Sequence, residues 1–586
     1  MPVTVPTHSV DFAPDAAPGT SLVQSAFASP RWRDGHSFAM LQAGLGDGRT
    51  FLRAWQAWRE NADRPRRLHF ICVDSALLSR EGLIQSLAPL AELSVLATAL
   101  AAAWPPPLAG FHRVHFDAGN VILTLLLGDA RELLPQLVAR VDAFILDAGS
   151  IARNPAIWSP DGIRELVRLA APGATLTSNT AAGGVRTALG DAGFRCQVAS
   201  DAVDLPALSG IFDKPVPVIA IRERRVVVVG AGLAGTLAAE RLASREWDVE
   251  LIDARPQRSV AAVGLLRPIA NLRDALNARV SRAAFLYALQ HYRSLQHDGY
   301  HLAWDRCGVL QLADGEDESR RFEAIARSHG YPPAFLESVD AERAASLAGC
   351  AVRGGGWWFP SGALVSPESL AVASLARAGA RVRRTAGRAV DRLERDGAHW
   401  RALDAAGNVI AEAAAIVLAN AADAQRLLPE ARLGLASVRG QVTYLPADGN
   451  RTLGRIVSGS GYVAPLPDGG HCVGATYQHD DDDSTVRAAD HRDNLARAET
   501  MLPGFTAGLH PLPLAGWTGF RTTVPDRLPV FGATAVEGVH VATGLGSRGL
   551  LWAPLGAELL ACQLEGEPLP LSRDHAGAIS PLRFLS

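Results

Sequence analysis

Lysine is almost missing from this chain: Lys214 is the single one in 586 residues, so the positive charge rests on arginine. With 57 basic residues against 60 acidic ones the net charge is −3. That balance gives no global pull toward nucleic acid, although a local arginine-lined face can still bind phosphates. Cysteine is sparse, with six scattered residues and no C-x-x-C, which argues against both a zinc site and a disulfide framework and suits a reducing cytoplasm. Long apolar runs are absent too. The most apolar stretch, Leu87 to Ala103, holds Pro89 and Glu92 and ends at Trp104-Pro105-Pro106-Pro107, short of a membrane span. Met1 to Asp11 lacks the basic start and apolar core of a secretory signal. No low-complexity segment or internal repeat is evident. The 48% hydrophobic and 20% charged composition is that of an ordinary globular protein.

What is present is length and α/β patterning. A chain this long exceeds a single hydrophobic core, so two domains are expected, with three possible in principle. From Ser37 to about Cys196, apolar runs at Leu68–Val73, Val121–Leu127 and Ala143–Leu146 alternate with helical stretches, the pattern of a doubly wound sheet. Between Ala199 and Val216 the chain is polar and turn-rich, which places a boundary near residues 215 to 222. The expected domains are therefore 1–215 and 222–586. The second opens with its own α/β unit, and Val382 to Leu393, Ile416 to Leu418 and Gln441 to Leu445 read as strands of a mixed sheet.

The second domain carries the stronger motif. Val226–Val229 is a buried strand feeding Gly230-Ala231-Gly232-Leu233-Ala234-Gly235 and then the helical Thr236 to Arg245. Gly230 allows the tight turn, Gly232 lets backbone approach a pyrophosphate and Gly235 lets helix and strand pack closely. The helix N-terminus then faces the phosphates. Asp253 ends the next strand, 23 residues after Gly230, where a carboxylate accepts hydrogen bonds from ribose hydroxyls. A glycine turn without ligand is the alternative. A second glycine-rich loop, Gly544-Leu545-Gly546-Ser547-Arg548-Gly549-Leu550, precedes the helical Ala553 to Ala561 and could meet a flavin ring, which favours FAD over NAD; Gly546, Ser547 and Gly549 are its candidate contacts.

At this point the chain resembles the D-amino-acid and glycine oxidase superfamily. Within it, Arg521 of Gly519-Phe520-Arg521 sits where the resemblance implies a substrate-carboxylate arginine, a guanidinium fork being well matched to a carboxylate. A surface arginine in an ion pair is the alternative. A closer resemblance covers nearly the whole chain, to the bifunctional tRNA 5-methylaminomethyl-2-thiouridine biosynthesis proteins, in which a methyltransferase precedes an FAD oxidoreductase. It rests on domain order and on Cys307 to Leu312, Ser437 to Gln441, Gly461-Tyr462-Val463, Gly474-Ala475-Thr476-Tyr477 and Gly546 to Gly549. The resemblance implies a Rossmann-like methyltransferase domain followed by an FAD-binding Rossmann domain with an inserted mixed α+β substrate domain. It also implies a wobble-uridine tRNA substrate, oxidative removal of a carboxymethyl group and then N-methylation. Arg521 is the residue implied for the substrate carboxylate, with Arg548 and Tyr462 in the pocket. No metal is called for.

In the first domain, Gln42-Ala43-Gly44-Leu45-Gly46-Asp47-Gly48 resembles the glycine turn that brings backbone against S-adenosylmethionine. Asp74 suits a ribose diol and Asp129 the adenine edge, and the resemblance implies that Asp147, ending Phe144-Ile145-Leu146-Asp147, faces the acceptor amine; a helix cap or loop residue is the alternative for each. Departures from the family are Gln42 in place of an acid, Ala148-Gly149-Ser150 after Asp147, and Ser200 to Ser209, with two acids and no base where a basic loop is expected. They leave open an oxidase with a degenerate or tRNA-docking first domain. A free amino-acid oxidase is a further alternative. Oligomeric state is not legible, and a monomer is compatible with the chain.

Overall fold

The computed structural model describes residues 18–27, 29, 31–146, 154–179, 183–198, 208–214, 223–256, 260–271, 273–449, 451–509 and 513–585. The chain divides into two compact units. One comprises Val3–Ile221 together with Cys562–Asp574; the other contains Arg222–Ala561 and His575–Ser586.

The first unit is built on an eight-stranded sheet: β1 (Ser37–Ala43), β2 (Arg67–Asp74), β3 (Gly110–Phe116), β4 (Val121–Leu127), β5 (Val141–Leu146), β6 (Ala170–Ser178), β7 (Phe194–Val198) and β8 (Leu208–Phe212). Their order is β3-β4-β2-β1-β5-β6-β8-β7. The interior of the sheet is parallel, as β4-β2-β1-β5-β6, with antiparallel β3 at one side and β8 and β7 at the other. Every residue of β2, β4 and β5 is buried, which is why they read as continuous apolar runs. Strand β8 falls within the stretch read from sequence as a turn-rich connection. Its alternation of buried and less buried positions is carried by Leu208, Gly210 and Phe212, a pattern too short and too glycine-containing to announce itself.

The segment Cys562–Asp574 belongs to this unit through buried polar bonds. Glu567, fully buried, pairs with Arg67 on β2 (3.3 Å) and lies 3.6 Å from His69. Arg113 on β3 donates to Pro568 O (2.7 Å) and to Cys562 Sγ (3.2 Å). Backbone bonds run from Leu569 N to Val138 O (2.9 Å) and from Arg573 N to Gln136 O (2.8 Å).

The second unit holds a six-stranded sheet ordered Val382–Ala386, Asp248–Asp253, Arg225–Val229, Ala415–Leu418, Val539–Thr543, Val530–Ala533, parallel except for the last. The helix Leu233–Ala243 follows its central strand and is buried along its length, which explains its lack of a polar face. Its charged residues are paired: Glu240 with Arg241 (2.7 Å) and Arg377 (3.0 Å), and Arg245, just beyond its end, with Glu558 (2.9 Å). Burial works against ionising Glu240, yet the guanidinium groups of Arg241 and Arg377 hold it down to about 2.

A nine-stranded mixed sheet forms the rest of this unit's framework, running Glu337–Val339, Gly356–Phe359, Val309–Leu312, Ile456–Ser458, Tyr462–Pro465, His471–Gly474, Ala436–Leu445, Gln478–His479. The ninth strand, Ala515–Thr523, pairs antiparallel along Ala436–Leu445. A separate three-stranded antiparallel sheet takes Arg392–Asp396, so the span Val382 to Leu393 is divided between two sheets. Among the described residues no helix is long and apolar enough to cross a membrane, and all six cysteines are free thiols.

Candidate functional site

The glycine turn of the second unit is shaped by what a side chain would meet. Gly230 has φ +106° and a Cβ there would lie 2.5 Å from Ala419 O; a Cβ on Gly235 would overlap Gly230 O. A Cβ on Gly232 would meet nothing within 4 Å. Two of the glycines thus serve the protein's own packing, and the third leaves open space above the backbone. Gly232 is also the N-cap of Leu233–Ala243 and makes no side-chain cap bond, so the first N–H groups of the helix are left for an anion. Asp253 ties the turn to the neighbouring strand: Oδ2 accepts from Ala231 N (2.7 Å) and Oδ1 from Arg255 N (2.8 Å). The open cradle, uncapped helix and strand-end carboxylate fit the adenosine diphosphate portion of FAD.

The later glycine loop is equally constrained. Gly544 and Gly546 take φ +68° and +55°, and Gly546 N donates to Thr522 O (2.8 Å), one residue from Arg521. The helix Gly549–Glu565 starts there. Its Leu550 carbonyl accepts from Tyr292 Oη (2.6 Å), and the Leu550 side chain lies so close to Gly264 that a Cβ there would be 2.6 Å from it. Ser547 is exposed.

Around this loop gather cations without counter-charges. Arg521 projects from Ala515–Thr523 over Gly440, in the space that a side chain on Gly440 would take. Its Nη1 donates to Thr476 O (3.2 Å) and its guanidinium lies 4.4 Å from the Tyr477 ring centroid. Among the described residues neither Arg521 nor Arg548 has a carboxylate within ion-pair reach, in contrast to the paired buried Arg241, Arg245 and Arg439 of the same unit. Burial pulls Arg548 below the usual arginine value. Arg267, at the end of Gly264–Leu266, is pulled down to about 9, by burial first and by the nearby Arg548 second. Arginine does not shed its proton in practice, so such a pair is relieved by an anion. Tyr462 is near Arg521; its Oη is 3.7 Å from Cys472 Sγ, and burial, then Cys472, push it well above the usual tyrosine value, so it stays neutral. Tyr444 Oη accepts from Ala262 N (3.2 Å).

The structure thus brings together Arg521 and Tyr462, and places Arg548 near Tyr477. Sequence reasoning missed Arg267 and Tyr444, and used Tyr477 only as part of a family motif. Nothing in the spacing of Gly264-Leu265-Leu266-Arg267 announces a cation site. The lack of nearby acids around Arg267 is a property of the folded state alone.

In the first unit, Gly44, Gly46 and Gly48 all have positive φ (+86°, +60° and +78°), the conformation glycine alone adopts freely. Asp74, buried at the end of β2, receives Leu45 N (2.8 Å) and Gly46 N (3.3 Å) on Oδ2, while Oδ1 takes Ala76 N (3.3 Å). Gly44 N donates to Val73 O (2.9 Å) and Gly128 N to Asp74 O (2.9 Å), which brings both glycine segments to the same edge of the sheet. Asp129 is exposed and caps the short helix Ala130–Leu133 by accepting from Arg131 N (2.8 Å). Gln42 is buried on β1. Asp147 lies outside the described residues. The turn and its carboxylate fit a nucleoside such as that of S-adenosylmethionine.

Comparison with known proteins agrees with both halves. Residues 225–563 match the family of FAD dependent oxidoreductases, and residues 91–202 match an S-adenosyl-L-methionine-dependent methyltransferase family. The chain is 43% identical over 589 aligned residues to the tRNA 5-methylaminomethyl-2-thiouridine biosynthesis bifunctional protein MnmC of Aromatoleum aromaticum, covering 95% of this chain and 91% of that one. The protein of the same description in Burkholderia vietnamiensis is 40% identical with the same coverage. Among solved structures, iminodiacetate oxidase from Chelativorans sp. BNC1 superposes with a TM-score of 0.51 at 27% identity, over 59% of this chain and 96% of that one. Glycine oxidase from Geobacillus kaustophilus, at 23% identity and a TM-score of 0.52 over 58% and 95% of the two chains, shares the fold. The chain therefore belongs to the family of bifunctional tRNA 5-methylaminomethyl-2-thiouridine biosynthesis proteins, an FAD-dependent oxidoreductase joined to an S-adenosylmethionine-dependent methyltransferase.

Proposed function

We propose that the chain acts on the wobble uridine of tRNA in two steps, removing the carboxymethyl group from a carboxymethylaminomethyl substituent and then methylating the amine left behind. FAD held there would supply the two-electron acceptor; with a hydride lost from the carbon between nitrogen and carboxylate and a proton from the amine, water would divide the resulting imine into glyoxylate and an aminomethyl base. The chain's own work is positioning. Gly230, Gly232, Gly235 and Asp253 hold the adenosine diphosphate end of FAD, and Gly546, Ser547 and Gly549 approach the flavin ring. Arg521 and Arg548, with Arg267 beside them, provide positive charge for the substrate carboxylate, and neutral Tyr462 lines the pocket without adding a competing charge. In the first unit Gly44, Gly46, Gly48, Asp74 and Asp129 hold S-adenosylmethionine, and Asp147 faces the acceptor amine. Action on tRNA goes with a cytoplasmic location.

The observation that carries the oxidative step is the cluster of arginines without carboxylate partners beside the FAD-type cradle, a set that demands an anion. For the methyl transfer it is the glycine turn fastened to Asp74. The test incubates the protein with tRNA bearing carboxymethylaminomethyluridine, with and without S-adenosylmethionine, and identifies nucleosides by mass spectrometry. Aminomethyluridine without the methyl donor and methylaminomethyluridine with it are expected. A product stalled at aminomethyluridine in both cases would remove the second activity, and unchanged tRNA alongside oxidised free glycine or sarcosine would replace the reading with a free amino-acid oxidase.

A further inference from the structure

Two aromatic side chains of the described residues are exposed to solvent, Tyr477 at 52% and Phe520 at 43%, and both adjoin Arg521. They differ in what holds them. Phe520 precedes Arg521 on the same strand and is in register with Arg439, so it faces the opposite side of the sheet from Arg521. Tyr477 follows Thr476, whose carbonyl anchors Arg521, and carries the Arg521 guanidinium 4.4 Å from its ring centroid. Arg521 is itself confined over Gly440. The Tyr477 ring is thus held in one orientation by a fixed cation on one face, while about half of the residue remains open to water. Leaving an apolar ring so exposed gains nothing for folding. It does prepare a surface whose ordering cost is met before a ligand arrives.

We infer that Tyr477 is a stacking platform for a base of the tRNA anticodon loop, presented at the entrance to the arginine-lined flavin site. The inference rests on the proposed tRNA reaction and specifies how the RNA is seated. A wobble nucleotide whose substituent enters a protein pocket must leave the base stack of its loop. Single-stranded RNA bases displaced in this way are received on aromatic side chains, which accept any base through its π face. Arginine on the far face adds a cation–π contact that keeps the ring flat to its ligand.

The test uses the full-length FAD-loaded protein and its variants Tyr477→Ala, Tyr477→Phe and Tyr477→Trp, each checked for flavin content. Binding of unmodified tRNA is followed by fluorescence anisotropy across a salt series, and anaerobic flavin reduction by tRNA bearing carboxymethylaminomethyluridine is followed against tRNA concentration. Tyr477→Ala is expected to weaken tRNA binding and raise the half-saturating concentration about tenfold or more, the loss of one stacked base. The slope of log affinity against log salt stays as in the parent, and the Phe and Trp variants bind as the parent does. Unchanged binding in Tyr477→Ala overturns the inference. So does a salt slope lower by about one charge, which would mean that the ring acts only by holding Arg521 against a phosphate. A lower limiting rate in Tyr477→Phe would assign the hydroxyl to the chemistry instead. The binding arm uses RNA that is not turned over, so it decides the platform even if the parent protein fails to reduce its flavin with modified tRNA, an outcome that would sink the proposed reaction separately.

Discussion

At the scale of single residues, the proposed substrate pocket is a set of arginines with no carboxylate in ion-pair reach among the described residues. Arg267 illustrates the cost. Its guanidinium is partly buried beside Arg548, with no carboxylate in reach among the described residues, so each disfavours the other until an anion arrives. Arg267→Met is therefore expected to move stability and binding in opposite directions. The variant should melt at a higher temperature than the parent when no carboxylate ligand is present. It should also bind small carboxylates at the flavin site about tenfold or more weakly, read from perturbation of the flavin spectrum, since a charged hydrogen bond contributes roughly 1.5–3 kcal/mol. His540 gives the second prediction. Burial pulls it down to about 4 in the folded chain, against an ordinary value of 6.5. Between those values the unfolded chain binds the extra proton, so stability falls as pH drops from about 6.5 toward 4, by as much as roughly 3 kcal/mol. His540→Gln should remove that step from melting temperatures measured across the range. Legibility at this scale was uneven. Arg521, Arg548 and Tyr462 were nominated from the sequence because family motifs carry them. Arg267 could not, because an arginine becomes a binding residue only when folding denies it a partner.

At the scale of elements, strand–turn–helix units were the most readable parts of the chain, for a physical reason. A buried parallel strand is apolar along most of its length, and a turn that admits no Cβ must be glycine, so β2, β4, β5 and the strand Arg225–Val229 are largely legible in the sequence. Leu208–Phe212 escaped because it is an antiparallel edge-side strand of five residues containing Gly and Ser. The glycines also allow packing and ligand roles to be separated by experiment. Gly235→Ala would drive a methyl group into Gly230 O and is expected to destabilise the unit whether or not FAD is present. Gly232→Ala meets no protein atom and should leave the fold intact in the apoprotein while lowering FAD affinity. Urea unfolding of the apoprotein and FAD titration by fluorescence quenching together separate the two; equal effects on both properties would remove the pyrophosphate role assigned to Gly232.

At the scale of the whole molecule, order along the chain and grouping in space differ. The sequence shows one linker, near residues 215 to 222, and no sign that Cys562–Asp574 groups with the N-terminal unit, because the contacts that bind it are single polar residues rather than a periodic pattern. Glu567 is the centre of this arrangement. Glu567→Ala removes a buried carboxylate that pairs with Arg67, a loss that typically costs about 3–5 kcal/mol, and should unfold the N-terminal unit at lower denaturant, followed by tryptophan fluorescence and by loss of S-adenosylmethionine binding. Cutting the chain after Ala561 should do at least as much harm, and a fragment ending at Ile221 is a poor stand-in for that unit.

The returning segment also bears on synthesis. Domains generally fold in the order in which the ribosome makes them, at about 5–20 residues per second. Here the N-terminal unit lacks its Glu567 and the two backbone bonds of Leu569 and Arg573 until roughly 340 further residues have been made, a delay of some tens of seconds. The half that begins first waits almost until the end of the chain for its last segment. A nascent chain held on the ribosome before residue 562 should therefore be a waiting client for chaperones or proteases. Translation itself, rather than the linker, sets when the methyltransferase half is complete.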